Sequence, residues 1–463
     1  MFAYAHAAFI KEKQMTEETV YTCKFGGSSL ADGARVAKVA ELIRSDPRRR
    51  YVVVSAPGRK DPGDHKVTDL LYAAYENKRL GLEFREAYDR AERPLEHIAK
   101  HLDWVAGGKG NIDVAFDKIL LDNEKIVHEQ DVSADFVASR GEYLMARLLA
   151  MYLDWPFVDA KDIVRFTSQG KFDAELTQQI ASAELKKYPR AVIPGFYGVR
   201  PEGDIKTFSR GGSDLTGAIV ARATISTVYE NWTDVPGLMS ADPRIVPEAR
   251  AIEAVTYREL RELSYMGASV FHEEAVIPAK IAGTTIHIRN THDPEGKGTR
   301  VMHESHRGHH PVVVGIAGLK GFSTIQVRKT LMNEEIGFAR RLLTVLADEG
   351  ISVEHMPGGI DALSVIVPTP MIYDREVEIE TEIENICRVD DVQIDHGLAL
   401  IATVGHGMWH TPGVAARLTG ALAKASINIQ MINQGSSELN IIVGVAEGDY
   451  EEAIRAIHRE FFP

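Results

Sequence analysis

Cysteine is scarce in this chain of 463 residues, which contains only Cys23 and Cys387. Two cysteines so far apart build neither a disulfide framework nor a CxxC metal site, and their scarcity favours a reducing compartment, the cytoplasm. No apolar run approaches the 18 or so residues that a membrane-spanning helix needs. No basic segment precedes the short apolar patch of MFAYAHAAFIKEKQM, so residues 1–19 are expected to be an N-terminal extension and not a signal peptide.

Positive charge is also in deficit, because 53 Lys and Arg face 66 Asp and Glu for a formal net charge of -13. Nucleic acids and acidic membranes repel a net anion, so neither is an expected partner. A small anionic substrate remains compatible if local cations surround it. The hydrophobic share of 44% and the charged share of 26% are those of an ordinary soluble globular protein. The length predicts about three domains.

Apolar patterning predicts an α/β fold in the first 300 residues. Strands are predicted at Val20 to Phe25 and in YVVVSAPG, RAVIPGFYG, TVYENWTDVPG and TTIHIRN, and residues 68–153 are predicted to be mostly helical. Strands that alternate with helices favour a mostly parallel sheet sandwiched by helices. Function in such sheets collects at the carboxyl ends of the strands, where Lys24, Ser55, Phe196 and Asp234 fall.

The C-terminal part contains an internal repeat with an offset of 76 residues. GFARRLLTVLADEGISVEHM from Gly337 matches GVAARLTGALAKASINIQMI from Gly413, and two flanking strand-like pairs keep the same offset. Each copy is predicted to run strand, helix, strand, strand, which is typical of two copies of a small α+β domain.

These patterns predict a domain order. A catalytic domain is expected over 20–300, a linker over 301–312, and the two repeat copies over 313–385 and 386–463, with the first copy possibly discontinuous. The linker contains HESHRGHH, but the spacing of its four histidines suits no fixed zinc geometry. A solvated segment without a metal site is therefore predicted.

Two glycine pairs predict where anions bind. Neither GxxxxGK[ST] nor GxGxxG occurs, yet KFGGSS (24–29) and RGGSD (210–214) each place a cation beside two glycines ahead of a helix. Backbone N–H groups of glycines and helix starts can approach phosphate oxygens. A plain tight turn is the alternative for either pair alone, but together they predict a cleft for two anionic groups. The polar segment WTDVPGLMSADPRIV (232–246) is rich in Thr, Asp, Pro and Gly. This composition alone predicts a surface loop.

Six ordered motifs resemble aspartate kinases of the amino-acid kinase family: KFGGSSLAD, SAPG, SRGE, RGGSDLTG, WTDVPG with ADPRIV, and YMGASVFHEEA. The C-terminal repeat resembles that family's paired, ferredoxin-like ACT domains, so the resemblance covers residue 20 to the C-terminus. It implies ATP-dependent phosphorylation of the side-chain carboxylate of L-aspartate, with Mg²⁺. The product implied is 4-phospho-L-aspartate, the first step towards lysine, threonine and methionine.

The resemblance also implies roles for single residues. Lys24 would span the transferring phosphoryl group and Asp214 would orient it, while the positions expected to line the phosphates are Gly26, Gly27 and Ser28. Arg210 would grip a carboxylate of aspartate and Glu142 its ammonium group, although a solvated helix residue is the alternative for Glu142. The remaining aspartate-site positions are Ser55, Thr68, Phe196 and Ser213.

On the nucleotide side the matching positions are Thr233, Asp234 and Arg244. Two further positions depart from the family's commoner residues, since Met239 stands for a tyrosine and Ser269 for a lysine. The second departure removes a cation near the phosphates, and Lys280 is a candidate replacement.

Feedback control is implied as well, with lysine, threonine or both binding at an ACT interface of a homodimer or dimer of dimers. The predicted effector residues in the first copy are Met332, Glu334, Glu335, Gly337, Phe338 and Glu354. In the second copy the matching turn is HGMWHTPGV (406–414) and Gln430 replaces the acid, so the two sites are expected to differ. A pair of domains that only dimerises is the alternative.

Three other functions compete with this interpretation. Glutamate 5-kinase or acetylglutamate kinase would share the sheet but lack the ACT pair. A catalytically inactive amino-acid sensor would not need Lys24, Arg210 and Asp214 intact. A fusion to homoserine dehydrogenase is not expected, because the length leaves no room for a dehydrogenase module.

Overall fold

The computed structural model describes residues 19–61, 63–209, 211–268, 270–304 and 311–463. The chain forms two compact units. The first contains Met1–Leu238, Glu253–Tyr257 and Val270–Arg307, and the second contains Met239–Ile252, Arg258–Ser269 and Gly308–Pro463. The N-terminal extension predicted over 1–19 and the histidines of 305–310 lie almost wholly outside the described residues. Within these ranges no helix is both long and apolar enough to cross a membrane.

Along residues 19–304 the strands are β1 (Tyr21–Phe25), β2 (Arg49–Val54), β3 (Ala191–Pro194), β4 (Tyr197–Val199), β5 (Ile205–Thr207), β6 (Val228–Thr233), β7 (Ala254–Thr256), β8 (Thr285–Asn290) and β9 (Thr299–Met302). Seven of these described strands form one sheet in the order β3-β2-β1-β6-β8-β9-β7, and β4 pairs with β5 separately. Only β8 and β9 run antiparallel in the large sheet. The predicted mostly parallel sheet is confirmed.

The helices of this stretch are α1 (Gly33–Ser45), α2 (Val67–Arg79), α3 (Arg85–Val105), α4 (Asn111–Glu129), α5 (Ala134–Leu153), α6 (Ala160–Ile163), α7 (Ala174–Leu185), α8 (Gly212–Ala223), α9 (Tyr257–Tyr265) and α10 (Val276–Ala282). Helices α2 to α5 occupy the predicted helical region. Local sequence explains several starts: Asp32 and Ser133 accept hydrogen bonds from the third residue after them and so cap α1 and α5.

Alternation along β1 decides which side chains reach the functional edge. Cys23 and Phe25 are fully buried in a core that also includes residues of α1, α3 and α5. Successive side chains of a strand point to opposite faces, so Lys24 points the other way, towards α8. The parallel register sets Lys24 beside Val53 of β2 and Asn231 of β6. The carboxyl ends of these strands therefore share one edge.

The second unit contains strands β10 (Gly315–Arg328), β11 (Ala362–Pro368), β12 (Asp391–Val404), β13 (Met431–Asn433) and β14 (Asn440–Ala446). They form an antiparallel sheet in the order β11-β10-β12-β14-β13. Its helices are α11 (Phe338–Asp348), α12 (Glu376–Cys387), α13 (Val414–Lys424) and α14 (Tyr450–Phe461). Strand and helix recur in both copies, as the internal repeat predicts.

The two copies share the long strands β10 and β12. Residues 322–328 of β10 pair with both β11 and the first half of β12, and Ile325 lies in one hydrophobic core. Residues 315–319 pair with the second half of β12, and Ile316 lies in the other core. The register shifts between Leu319 and Phe322, where the cores meet. Each copy therefore uses one part of β10 and one part of β12.

This sharing bears on the predicted domain boundaries. The predicted border at 385/386 falls inside α12, and 391–396 pairs within the first copy although it was expected in the second. Two segments of the predicted catalytic range, Met239–Ile252 and Arg258–Ser269, group with the second unit. The boundaries predicted from sequence remain a proposal.

Candidate active site

A buried ion pair lies at the functional edge. Lys24 Nζ, from β1, is 2.7 Å from Asp214 Oδ1, in the first turn of α8, and only 11% and 12% of the two side chains is exposed. Sequence reasoning named both residues, and the fold brings them together because β1 and α8 pack face to face. A cation held this close to the glycine turns can contact an incoming phosphate.

Asp214 has partners that sequence reasoning missed. Asn231 Nδ2 donates to the same Oδ1 atom at 2.8 Å, and the backbone N–H of His272 faces Oδ2 at 3.4 Å. The hydroxyl of Tyr229 donates to the Asp214 carbonyl at 3.0 Å. Tyr229 and Asn231 both lie on β6. The signal available in the sequence was the alternation of VYENWT, but assigning a partner requires the β1–β6 register.

The first glycine turn differs from the prediction of a helix start directly after it. Residues Gly27–Leu30 form one 3₁₀ turn, and α1 begins only at Gly33, behind the capping carboxylate of Asp32. A Cβ on Gly27 would lie 2.8 Å from the carbonyl oxygen of Ala56, so Gly27 is required by packing against the SAPG turn. A Cβ on Gly26 would meet only ordinary contacts. Packing therefore does not require a glycine at position 26.

Glu142 is not the solvated helix residue of the alternative interpretation. It lies on α5, its side chain is buried, and its Oε2 atom has no hydrogen-bond partner among the described residues. Burial raises the pKa of Glu142 to about 7, although a backbone hydrogen bond from Ala56 works in the opposite direction. A Cβ on the preceding Gly141 would lie 2.8 Å from Ala56 Cβ, so a glycine is needed to bring α5 this close.

The remaining aspartate-site predictions fall around the same edge. Ser55 directly follows β2, and Thr68 lies in the first turn of α2. Phe196 has a φ of 80°, and its backbone N–H donates to Thr216 Oγ1 of α8 at 3.2 Å. Ser213 opens α8, where a Cβ on Gly195 would come within 2.6 Å of its Oγ. Arg210 lies outside the described residues.

Comparison with known proteins shows to which family the chain belongs. The amino acid kinase family matches residues 21–290, and an ACT domain family matches residues 401–461. Aspartokinase 3 of Bacillus subtilis is 41% identical over 450 residues, which are 95% of this chain and 98% of that protein. The chain belongs to the aspartate kinases of the amino acid kinase family. The resemblance found in the six sequence motifs is confirmed.

Solved structures agree with this assignment. The crystal structure of Clostridium acetobutylicum aspartate kinase is 42% identical, with a TM-score of 0.87 over 96% of this chain and 100% of that chain. Aspartokinase III of Escherichia coli, 25% identical, covers the same shares in two states. Its complex with aspartate and ADP gives a TM-score of 0.78, and its complex with lysine and aspartate gives 0.74. The chain is therefore an aspartate-phosphorylating enzyme with regulatory ACT domains.

The nucleotide-side predictions are distributed over both units of the kinase. Thr233 ends β6 and its hydroxyl donates to the neighbouring Asp234 carboxylate at 3.2 Å, at the same edge as Lys24. Met239 and Arg244 belong to the second unit, where Arg244 pairs with Asp242 at 2.6 Å. Ser269 lies outside the described residues.

The described residues build no resident metal site, since they contain no group of three or more His, Cys, Asp or Glu side chains able to hold an ion. Kinase Mg²⁺ ions are held largely by substrate phosphates and water, with one or two carboxylates. That chemistry fits a metal ion that arrives bound to the nucleotide.

The predicted effector residues occupy the first ACT copy in different environments. Met332 and Phe338 are buried in its hydrophobic core, whereas Glu334 is exposed and Gly337 precedes α11 with a φ of 83°. Glu335 is already paired with Lys329 at 2.5 Å and with Arg341. Glu354 Oε2 accepts a hydrogen bond from the Tyr265 hydroxyl at 2.5 Å.

Proposed function

We propose that this kinase transfers the γ-phosphoryl group of MgATP to the side-chain carboxylate of L-aspartate. The product is 4-phospho-L-aspartate, the first intermediate on the way to lysine, threonine and methionine. The observation that carries this proposal is the buried Lys24–Asp214 pair, at 2.7 Å, on the sheet edge that also holds the glycine turns. The complex of the E. coli relative with aspartate and ADP supports it.

The chemistry needs positioning and positive charge more than a base. The aspartate carboxylate is already ionised near pH 7, so no general base is required. The barrier is the approach of one anion to another, through a transition state that spreads negative charge over the equatorial oxygens. Lys24 supplies a cation at that point, and Asp214 fixes its position. Mg²⁺ bound to the ATP phosphates adds positive charge there.

Aspartate is recognised through its three charged groups. The unpaired, buried Oε2 of Glu142 is an acceptor for the ammonium group, and this contact favours the ionised form of a carboxyl whose pKa is about 7. Arg210 takes the α-carboxylate in a bidentate fork, an assignment that rests on the RGGSD motif. The other positions proposed around the substrate are Ser55, Thr68, Phe196 and Ser213.

The phosphates of ATP approach the first glycine turn. A Cβ on Gly26 would lie 3.5 Å from Lys24 Nζ, so this turn borders the cation, and Ser28 follows the tightly packed Gly27. Thr233 and Asp234 extend the nucleotide side from the end of β6. The sequence motifs add Met239, Arg244 and Ser269, with Lys280 as the replacement for the family's usual lysine.

A hydroxamate assay tests the proposal directly. The kinase is incubated with MgATP and hydroxylamine, which traps an acyl phosphate, and with L-aspartate, L-glutamate or N-acetylglutamate in parallel. We expect a hydroxamate with L-aspartate and a turnover at least about tenfold lower with the longer acids, because one misplaced methylene costs roughly 1–3 kcal/mol. Equal turnover with glutamate would contradict the substrate assignment.

Lysine, threonine or both inhibit the kinase through the first ACT copy, in a homodimer or dimer of dimers joined by ACT domains. Glu354 lies within reach of solvent and is bonded to one neutral hydroxyl, so a ligand ammonium can replace Tyr265 as its partner. Glu335, whose charge two cations already neutralise, is the less suited of the predicted acids. The lysine complex of the E. coli relative supports lysine as an effector.

Titration of lysine, threonine and their mixture into the assay tests the regulatory site. Allosteric coupling of about 1–3 kcal/mol corresponds to a shift in the aspartate requirement of about 5- to 150-fold. Glu354→Ala should abolish the shift, and Asp348→Ala, at an exposed acid in the same copy outside the predicted effector residues, serves as the control. Unchanged inhibition in Glu354→Ala would place the effector elsewhere.

A further inference from the structure

Asn231 is a buried polar residue that no sequence motif assigns a role. It lies in β6, directly beside Lys24 of β1 in the parallel register, and its exposed fraction is 0%. Its Nδ2 atom donates to Asp214 Oδ1 at 2.8 Å, whereas its Oδ1 atom has no partner among the described residues. The orientation of the amide follows from chemistry, since an ionised carboxylate accepts hydrogen bonds and only the NH₂ end can donate.

One oxygen of Asp214 therefore receives two donors. Lys24 Nζ at 2.7 Å and Asn231 Nδ2 at 2.8 Å both contact Oδ1, and among the described residues the other oxygen has only the distant backbone N–H of His272 at 3.4 Å. When Lys24 also donates to a phosphoryl oxygen, its contact with Asp214 weakens. A buried carboxylate without a strong partner is unfavourable. The amide of Asn231 remains, because β6 lies in the interior of the sheet, between β1 and β8.

We infer that Asn231 is a positioning residue for phosphoryl transfer. It keeps Asp214 hydrogen-bonded and fixed while Lys24 divides its donors between that carboxylate and the transferring phosphoryl group. This inference rests on the proposed function, in which Lys24 acts on the phosphoryl group. It adds to the site a residue that acts through Asp214.

The unpaired Oδ1 atom of Asn231 distinguishes a positioning role from a purely structural role. A buried acceptor without a partner lowers stability. An amide at a fully buried sheet position is therefore kept at a cost to folding. A residue that lowers the local stability of the fold is expected at a functional site.

The first test is Asn231→Leu, which keeps the volume and removes the donor. Hydrogen bonds to charged groups are strong enough that their loss lowers kcat by about 10- to 100-fold. We expect the aspartate KM to stay within about twofold and the thermal midpoint to change little, because removal of the unpaired Oδ1 offsets the lost hydrogen bond to Asp214. A wild-type kcat in this variant would overturn the inference.

The second test is Asn231→Asp, which keeps the shape and replaces the donor by a carboxyl group. Two carboxyl groups in contact share a proton at low pH, and the protonated one can donate again. Besides Asp214, the groups facing this position are Lys24, the Tyr229 hydroxyl and the backbone N–H of His272. We expect the activity of the variant, relative to wild type, to rise at least about tenfold as the pH falls from about 8 to about 6. A pH profile parallel to that of wild type would contradict the positioning role.

Lys24→Ala distinguishes the two levels of failure. If Lys24→Ala is inactive while Asn231→Leu is fully active, only the role of Asn231 is wrong. If Lys24→Ala retains full activity, the proposed catalytic site itself is wrong, whatever Asn231 does.

Discussion

Two clusters of buried charge occupy opposite faces of the same two strands, β1 and β6. On one face, Glu230 accepts hydrogen bonds from Arg49 at 2.7 and 3.2 Å, from Arg289 at 3.0 Å, from Trp232 Nε1 at 3.1 Å and from Cys23 Sγ at 3.2 Å. Burial opposes ionisation, yet the hydrogen bond and charge of Arg49 bring the pKa of Glu230 below its usual value. This carboxylate is saturated with donors.

The opposite face holds polar groups that are incompletely satisfied. Asp214 has two close donors on one oxygen, while the carbonyl oxygen of Asn231 has no partner among the described residues. Beside the SAPG turn, an oxygen of Glu142 also has no partner among the described residues, and the pKa of this carboxyl is raised. A saturated network fixes one structure, whereas unpaired groups are available to a ligand. The comparison therefore separates a structural face from a candidate catalytic one.

The largest expected effect is on the catalytic face. Lys24→Ala should lower kcat by about a hundred- to a thousandfold, as removal of one transition-state donor does elsewhere, and change the aspartate KM far less. Steady-state kinetics in the hydroxamate assay measure both. Lys38→Ala, an exposed lysine on α1, is the matched control and should behave as wild type. A Lys24→Ala enzyme with the wild-type rate would remove the distinction between the two faces.

On the structural face, Glu230→Ala should act on folding and not on kcat. It leaves two arginines, one of them Arg49 with 7% of its side chain exposed, without their carboxylate. Loss of one partner of a buried pair costs about 3–5 kcal/mol of unfolding free energy. Urea denaturation measures the change, and kcat per folded molecule should remain unchanged. The exposed pair Glu253–Lys297 provides the control, because Glu253→Ala should cost less than about 1 kcal/mol.

Glu142 should make aspartate use depend on pH. Its carboxyl must be ionised to bind an ammonium group, and its pKa of about 7 means that kcat/KM for aspartate falls about tenfold per pH unit below about 7. Glu142→Gln should weaken aspartate use and remove this dependence. An unchanged pH profile in Glu142→Gln would assign the dependence to another group.

The same raised pKa has a consequence for stability. A carboxyl whose folded-state pKa exceeds its unfolded value near 4.5 stabilises the fold fully below that value, and this contribution is lost as the pH rises through about 7. Glu142→Gln should therefore be more stable than wild type above pH 7. Burial and Glu124 raise the pKa of Glu92 to about 8, so Glu92→Gln is the control that alters stability without altering aspartate use.

The smallest expected effect is that of Cys23→Ala, next to Lys24 in sequence but on the other face. The thiol is one of several donors to Glu230, so its loss should cost about 1 kcal/mol of unfolding free energy. We expect kcat within twofold of wild type. A large loss of activity would show that the two faces are coupled through β1.

Sequence by itself determined the α/β class, the repeat and most of the candidate site. Hydrophobic periodicity located β1, β2 and the helices of 68–153 because burial of an apolar face is written into local spacing. The glycine pairs marked the segments that contain Lys24 and Asp214, because a turn that approaches an anion needs particular residues, and the resemblance to aspartate kinases implied their roles. These signals lie within a few residues of each other.

Only the tertiary structure decided which polar groups meet. The pairing of Asn231 with Asp214 depends on the β1–β6 register and on the packing of α8, and the raised pKa of Glu142 depends on how closely α5 approaches the SAPG turn. The sharing of β10 and β12 between the two ACT copies likewise depends on where the pairing of these strands shifts register. Hydrogen bonding and desolvation act over a few ångströms in space, between residues that lie far apart in the chain, so local sequence patterns do not contain them.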